Sequence, residues 1–279
     1  MCPRYAILAA PYAKLMRVPM VMWFTHRSMS NELRIAHRLV DKVVTASKES
    51  FRLKSDKVVI TGHGIDTDRF KPLDVRREGN TKVILSVGRI SPIKDYETLI
   101  KAADILIKEK GFRNLKFLIV GDIGTKAQKG YFEMLQRMVA SYGLGDCIEF
   151  EGPVPHRDVV TYYQNCDLFV SLSHTGSLDK AMLEAMACGN ASITCNGAFT
   201  SVLDDYADRL MFNEGNVDEL VEKSLAILRM RNEARLALGW ELRDIVLKGH
   251  NVNRLMGNLL RIFEECMPRS RNCAHRLTQ

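Results

Sequence analysis

Two stretches of the 279-residue chain bring together residue types that handle anions. The first is Gly88-Arg89-Ile90-Ser91-Pro92-Ile93-Lys94, which follows the apolar run KVILSV at 82–87. The glycine lets the backbone turn tightly after a strand. Arg89 and Lys94 then place a planar guanidinium fork and a flexible ammonium in one loop, a pairing suited to a diphosphate. Two solvated cations on a surface loop are the alternative. The second stretch follows Leu168–Ser171 and reads LSHTGSLDKAMLEAMACG from 172 to 189. Here Thr175, Gly176, Ser177 and Leu178 form a turn that leads into a helix opening at Asp179 and Lys180. Such a turn offers unpaired N–H groups and the positive end of a helix dipole to a phosphate. Glu184 lies about 1.5 turns beyond Asp179, within reach of a sugar hydroxyl. Plain helix-capping by Asp179 and dipole stabilisation of Glu184 are the structural alternatives. Gly189 stops the helix.

Other reactive types point to less. Asp66-Thr67-Asp68 would suit a hard cation, but it falls in a linker and reads as a turn. Met182, Met186 and Cys188 read as helix-packing residues. No metal and no cofactor are expected. The seven cysteines are scattered, odd in number and without Cys-x-x-Cys, which argues for free thiols in a reducing, cytoplasmic setting.

The elements that must hold these residues alternate. Strands are expected at 82–87, 115–120, 147–150, 168–171 and 191–194, and helices at 94–108, 131–142, 157–164 and 178–187. Continuous apolar strands separated by helices mean a parallel sheet covered on both faces, an α/β, Rossmann-like, doubly wound domain. Upstream, strands are expected at 19–25, 42–46 and 57–61, with a helix at 30–40 capped by Ser30. That makes 1–66 a partial Rossmann-like domain with no room for a first βαβ, so roughly 80–100 residues are expected to be absent from the front. Residues 67–248 form the second domain. Closing helices follow at 218–227, 233–247 and 253–265, so that 249–279 carries the last helix back and ends in a basic, frayed tail at 269–279.

Composition narrows the class. Hydrophobic residues make up 46% and charged residues 26%, which excludes wholesale disorder. The apolar N-terminal stretch is broken by Pro11, Lys14, Arg17 and Pro19, so neither a signal peptide nor a membrane helix is expected. Residues 1–54 hold ten Lys/Arg against three acids, the whole +7 excess of the chain. They are expected to face an anionic membrane surface or a charged substrate, with a solvated basic helix face as the alternative. Aromatics do not interleave with these cations, which speaks against nucleic acid.

Taken together, SVGRISPIKDYETLI, FLIVGD and FEGPVPHRDVVTYYQNCDLFVSLSHTGSLDKAMLEAMACG resemble the C-terminal, nucleotide-sugar-binding domain of family 4 glycosyltransferases, over residues 19–266. The resemblance implies the GT-B fold of two Rossmann-like domains. It implies that Arg89 and Lys94, beside Gly88, neutralise the donor diphosphate in place of a metal, and that Glu184 holds the nucleotide ribose. It also implies that Gly152, Val154 and Pro155 pack against the base and that His26 touches the donor sugar. The family's Glu-x7-Glu motif would put a first glutamate at 176, where this chain has Gly176 within Thr-Gly-Ser-Leu-Asp-Lys; Ser177, Asp179 or Lys180 is left to take over the sugar contacts.

The expected activity is transfer of a hexose from a nucleoside-diphosphate sugar to a glycan or lipid-linked acceptor. By resemblance it is retaining and metal-independent; a role in polysaccharide biosynthesis is expected, in the cytoplasm with the basic residues 1–54 docking peripherally on the inner face of the membrane. The competing reading is a truncated, non-catalytic homologue that holds a nucleotide sugar. A GT-B epimerase or hydrolase fits the fold but lacks recognisable acid–base carboxylates.

Overall fold

The computed structural model describes residues 2–73 and 79–267. The expected tail at 269–279 lies outside them. The chain divides into two compact units, Met1–Gly64 with Gly249–Gln279, and Ile65–Lys248.

The first unit carries a three-stranded parallel sheet, β1 (Val21–Trp23), β2 (Lys42–Thr45) and β3 (Val58–Ile60), in that order. Helix α1 (Pro3–Leu15) was not expected from the sequence, because Pro11 sits inside it. Helix α2 (Asn31–Leu39) opens as expected on Ser30, whose hydroxyl accepts the Leu33 N–H. The amphipathic face of α2 buries Leu33 and Ala36 against Met22, Phe24, Val43 and Phe51, the core of this unit. The observed strands are shorter than expected. Consequently His26 is not a strand-end residue: it lies three positions beyond β1, exposed, its ring edge-on to Phe24.

The second unit is a five-stranded parallel sheet ordered β6-β5-β4-β7-β8. Its strands are β4 (Lys82–Val87), β5 (Leu115–Val120), β6 (Ile148–Gly152), β7 (Leu168–Ser171) and β8 (Ser192–Thr194). Every residue of β7 and β8 is buried, as expected of a sheet covered on both faces. The connecting helices are α3 (Tyr96–Asp104), α4 (Lys126–Ser141), α5 (Val159–Gln164) and α6 (Lys180–Ala187). Two short helices, α7 (Thr200–Leu203) and α8 (Ala207–Leu210), were not expected. Then α9 (Val217–Leu228) and α10 (Asn232–Gly249) follow, and α11 (Val252–Cys266) belongs to the first unit; each is longer than the periodicity indicated.

Three boundaries near the anion-handling residues differ from expectation. The helix expected from Lys94 begins at Tyr96, because Pro92–Lys94 forms a 3₁₀ turn that Asp95 closes at φ 42°. The helix expected from Leu178 begins at Lys180, because Asp179 caps it. Gly152, expected in a loop, is the last residue of β6 at φ 76°.

In the first unit, the segment leaving the sheet and the start of the C-terminal return run side by side. A Cβ at Gly62, φ 76°, would stand 1.8 Å from the Gly249 carbonyl oxygen. Next to it the His63 N–H donates to His250 Nδ1 at 3.0 Å, and both histidines are buried. Burial pulls the His250 pKa down to about 4, with His63 adding to the effect. The folded chain therefore holds His250 neutral while the unfolded chain protonates it near 6.5. Its contribution is whole above pH 6.5 and is lost as pH falls toward 4, amounting to about 3 kcal/mol. We predict that His250→Asn, which keeps an acceptor for the His63 N–H, flattens the fall in Tm between pH 6.5 and 4 measured by thermal denaturation. An unchanged pH slope would refute this assignment.

Candidate functional site

Strand order locates the site before any side chain is considered. From β4 the chain winds outward through β5 and β6, then crosses back to place β7 on the opposite flank of β4. The carboxyl ends of β4 and β7 thus mark a topological switch point, where open α/β sheets bind ligands. Both anion-handling stretches emerge there.

On the β4 side the backbone is tightly drawn. A Cβ on Gly121 would stand 1.8 Å from the Gly88 carbonyl oxygen, so the turns after β4 and β5 touch through their glycines. The Lys94 side chain lies over Gly88, where a Cβ would meet its Cε at 2.7 Å. The Tyr96 hydroxyl donates to the Gly88 carbonyl at 3.1 Å, and burial drives that phenol's pKa far up. Arg89 is exposed and forms no ion pair among the described residues.

On the β7 side, Gly176 adopts φ 63°, a left-handed conformation natural to glycine. The turn is closed by hydroxyls: Ser177 Oγ donates to Thr175 Oγ1 at 3.2 Å, and Asn196 Nδ2 donates to the Ser177 carbonyl at 2.8 Å. Among the described residues, the N–H groups of Thr175, Gly176, Ser177 and Leu178 donate to no protein acceptor. They stand ahead of α6, whose dipole adds positive potential.

One ion pair joins the two sides. Lys94 Nζ lies 2.6 Å from Asp179 Oδ2, both side chains being mostly buried. The Ser171 hydroxyl donates to the same oxygen at 3.2 Å, and Asp179 Oδ1 caps α6 by accepting the Ala181 N–H. Lys180, the first helical residue, is exposed.

Glu184 is buried within α6 and both its oxygens are engaged. Tyr163 Oη donates to Oε2 at 3.0 Å, and His156 Nε2 lies 3.0 Å from Oε1. Burial and the adjacent carboxylate push the Tyr163 phenol well above its usual range, so it remains a donor. His156 is largely exposed and directly follows the Gly152–Pro155 stretch, where Val154 is half-buried. The structure thus gathers Gly88, Lys94, Asp179 and the Thr175–Leu178 turn at one crevice. Glu184 is reached by His156, which follows Gly152 and Val154 in the chain. His26 belongs to the first unit. Sequence reasoning missed Asp95, His156, Tyr163, Ser171 and His174 as partners. Asp95 and His174 lie inside the motifs and had a signal; Tyr163 had none, since only tertiary packing brings it to Glu184.

A family model described as "Glycosyl transferases group 1" matches residues 67–240, more than half of the chain. The chain belongs to the group 1 glycosyl transferases. Two similar members of the family are the D-inositol 3-phosphate glycosyltransferase of Thermobispora bispora and D-inositol 3-phosphate glycosyltransferase 2 of Catenulispora acidiphila. Each is 31% identical, over 60% and 63% of this chain. The chain spans 42% and 44% of their lengths, under half. Among solved structures, Anabaena HepE in complex with UDP aligns at a TM-score of 0.79 and 18% identity, covering 94% of this chain and 77% of that one. A glycosyltransferase from Rickettsia africae aligns at 0.74 and 18% identity, covering 95% and 81%. These likenesses bear out the α/β, GT-B fold class.

Asp179 is thus both the cap of α6 and the partner of Lys94. We predict that Asp179→Ala costs roughly 2–4 kcal/mol in urea denaturation, about 1 from the lost cap and the rest from leaving Lys94 unpaired. Asp179→Asn, which keeps the cap, should cost less. Equal losses for the two variants would show that the cap contributes nothing and that the whole cost is the ion pair.

Proposed function

We propose that this chain binds a nucleoside-diphosphate sugar at the crevice between β4 and β7 and forms the donor half of a hexosyltransferase. The observation that carries the reading is the Lys94–Asp179 pair, which ties the Gly88–Lys94 loop to the turn ahead of α6 where the strand order reverses, with Arg89 exposed on the same loop and the N–H groups of Thr175–Leu178 without a protein acceptor among the described residues. In this reading the diphosphate sits between the two loops. Arg89, with no competing acid, supplies the bidentate contact, and Lys94 supplies a point charge already held in place by Asp179. As the glycosidic bond breaks, negative charge builds on the leaving nucleotide diphosphate, and the fixed cations and helix dipole stabilise it without a metal. Glu184 accepts ribose hydroxyls, Gly152 and Val154 border the base, and His26 contacts the donor sugar. Transfer proceeds with retention to a glycan or lipid-linked acceptor.

The relatives named above are glycosyltransferases acting around D-inositol 3-phosphate, and HepE was captured with UDP; both support a nucleotide-sugar donor. An anionic membrane contact is supported by the α1 stripe of exposed Tyr5, Leu8, Tyr12 and Leu15 beside Lys14 and Arg17. No helix among the described residues is long and apolar enough to cross a membrane. One observation favours binding without transfer: Gly176 brings no carboxylate to the place where the family motif has one.

Calorimetric titration with UDP, GDP and ADP, then with the matching sugar nucleotides, tests the reading. We expect saturable binding of one nucleotide, weakened at least tenfold in Arg89→Ala and in Glu184→Ala. Wild-type affinity in Arg89→Ala would overturn the diphosphate site. Binding with no release of free nucleotide diphosphate in the presence of acceptor would establish the non-catalytic reading instead.

A further inference from the structure

We propose that Asp95 and His174 are positioning residues: they latch the Gly88–Lys94 loop to the Thr175–Leu178 turn, making one preorganised cradle for the diphosphate. The proposal rests on the donor-site reading above.

The need for a latch follows from the sheet. The β4–β7 pairing registers Ile84 with Leu168 and Leu85 with Phe169, and both loops leave the ladder beyond it. The cations ride on one loop and the N–H groups on the other, so their spacing depends on contacts between the loops. Three contacts cross the gap. Lys94 with Asp179 is one. The other two converge on His174, whose N–H donates to the Ile93 carbonyl at 3.1 Å and whose buried Nε2 faces Asp95 Oδ2 at 3.4 Å, within ion-pair distance but without a hydrogen bond. On its far side, His174 Nδ1 stands 4.0 Å from Glu214 Oε2, on the loop ahead of α9.

Asp95 is placed for this task at a conformational cost. It holds φ 42° and ψ 51°, a left-handed backbone that non-glycine residues seldom adopt. It closes the 3₁₀ turn that ends at Lys94 and opens α3, accepting the Thr98 N–H at Oδ1 and the Thr98 hydroxyl at Oδ2. Those bonds aim Oδ2 toward His174. Glycine would suit the backbone but would supply neither the cap nor the contact. Strain kept at a position adjacent to Lys94 is the mark of a residue retained for what its side chain holds.

A positioning role predicts an effect concentrated on the diphosphate. The test is calorimetric titration of the full chain and its variants with the tightest of UDP, GDP and ADP, and with the corresponding monophosphate. His174→Ala and Asp95→Asn should each weaken diphosphate binding about five- to tenfold, with little change for the monophosphate and Tm held within a few degrees. Asparagine tolerates the left-handed backbone and can still cap α3, so Asp95→Asn should fold. The double variant should lose no more than either single one, because both remove the same contact. His174→Gln, whose amide can still reach Asp95, should recover part of the loss. Equal losses for mono- and diphosphate, losses that multiply in the double variant, or wild-type binding by both single variants while Arg89→Ala fails to bind would each overturn the latch. Wild-type binding by Arg89→Ala would instead overturn the donor site itself, so the two failures are distinguishable.

Discussion

The chemistry of this chain depends on β4 and β7 being parallel neighbours although two strands separate them in sequence. Parallel pairing sends both carboxyl ends the same way, so the loops after them face one crevice. Sequential winding through β5 and β6, followed by a return to the other flank of β4, opens that crevice instead of closing it with the next helix. The glycines complete the constraint. Gly88 and Gly121 touch backbone to backbone, and any side chain at Gly121 would force the Arg89-bearing turn outward.

Within the crevice, charge is deliberately unequal. Lys94 is matched by Asp179, so the pair can lie mostly buried without leaving an isolated charge. Arg89 is exposed and unmatched, and supplies the net attraction for an anion arriving from water. Such a division gives one cation that is fixed before binding and one that is free to fold onto the ligand. Asp179 is drawn into the same arrangement. Its two oxygens are committed to Lys94, Ser171 and the start of α6. Gly176 is not a bare deletion of a carboxylate. At φ 63° it belongs to a turn whose backbone an L side chain would strain, so the Thr-Gly-Ser-Leu-Asp-Lys run builds a different turn, with N–H groups where the motif has an acid.

What could be read from sequence follows the reach of each signal. The β4, β5 and β7 strands showed as short, mostly apolar runs because burial on both faces leaves few polar residues to interrupt them, whereas β6 carries exposed Glu149 and Glu151. Ser30 revealed its helix start because a cap acts within three residues. Pro11 concealed α1, since a proline at that spacing reads as a break although the helix continues through it. The start of α3 was misplaced because the left-handed Asp95 has no sequence mark; aspartate there reads as an ordinary helix-start acid. Arg89, Lys94 and the Thr175–Leu178 turn were legible as residue types at strand ends. Their partners were not, since Lys94 finds Asp179 across 85 positions and Glu184 finds Tyr163 across 21. Periodicity carries no information over such distances.

The two ends of the crevice solve opposite problems. In the proposed site the Arg89 end would meet a strongly hydrated anion with two loops, the N–H groups of Thr175–Leu178 and an exposed guanidinium. The Glu184 end holds a carboxylate that is nearly excluded from water. Tyr163 Oη, locked in the core, donates one strong bond to it, and His156 covers the other oxygen from the solvent side. Each carboxylate oxygen accepts more than one hydrogen bond. Glu184 therefore keeps capacity for a ribose hydroxyl even with both partners present, and His156, largely exposed, can yield its place at little cost. The buried donor fixes where the carboxylate points, and the exposed one protects it until a hydroxyl arrives.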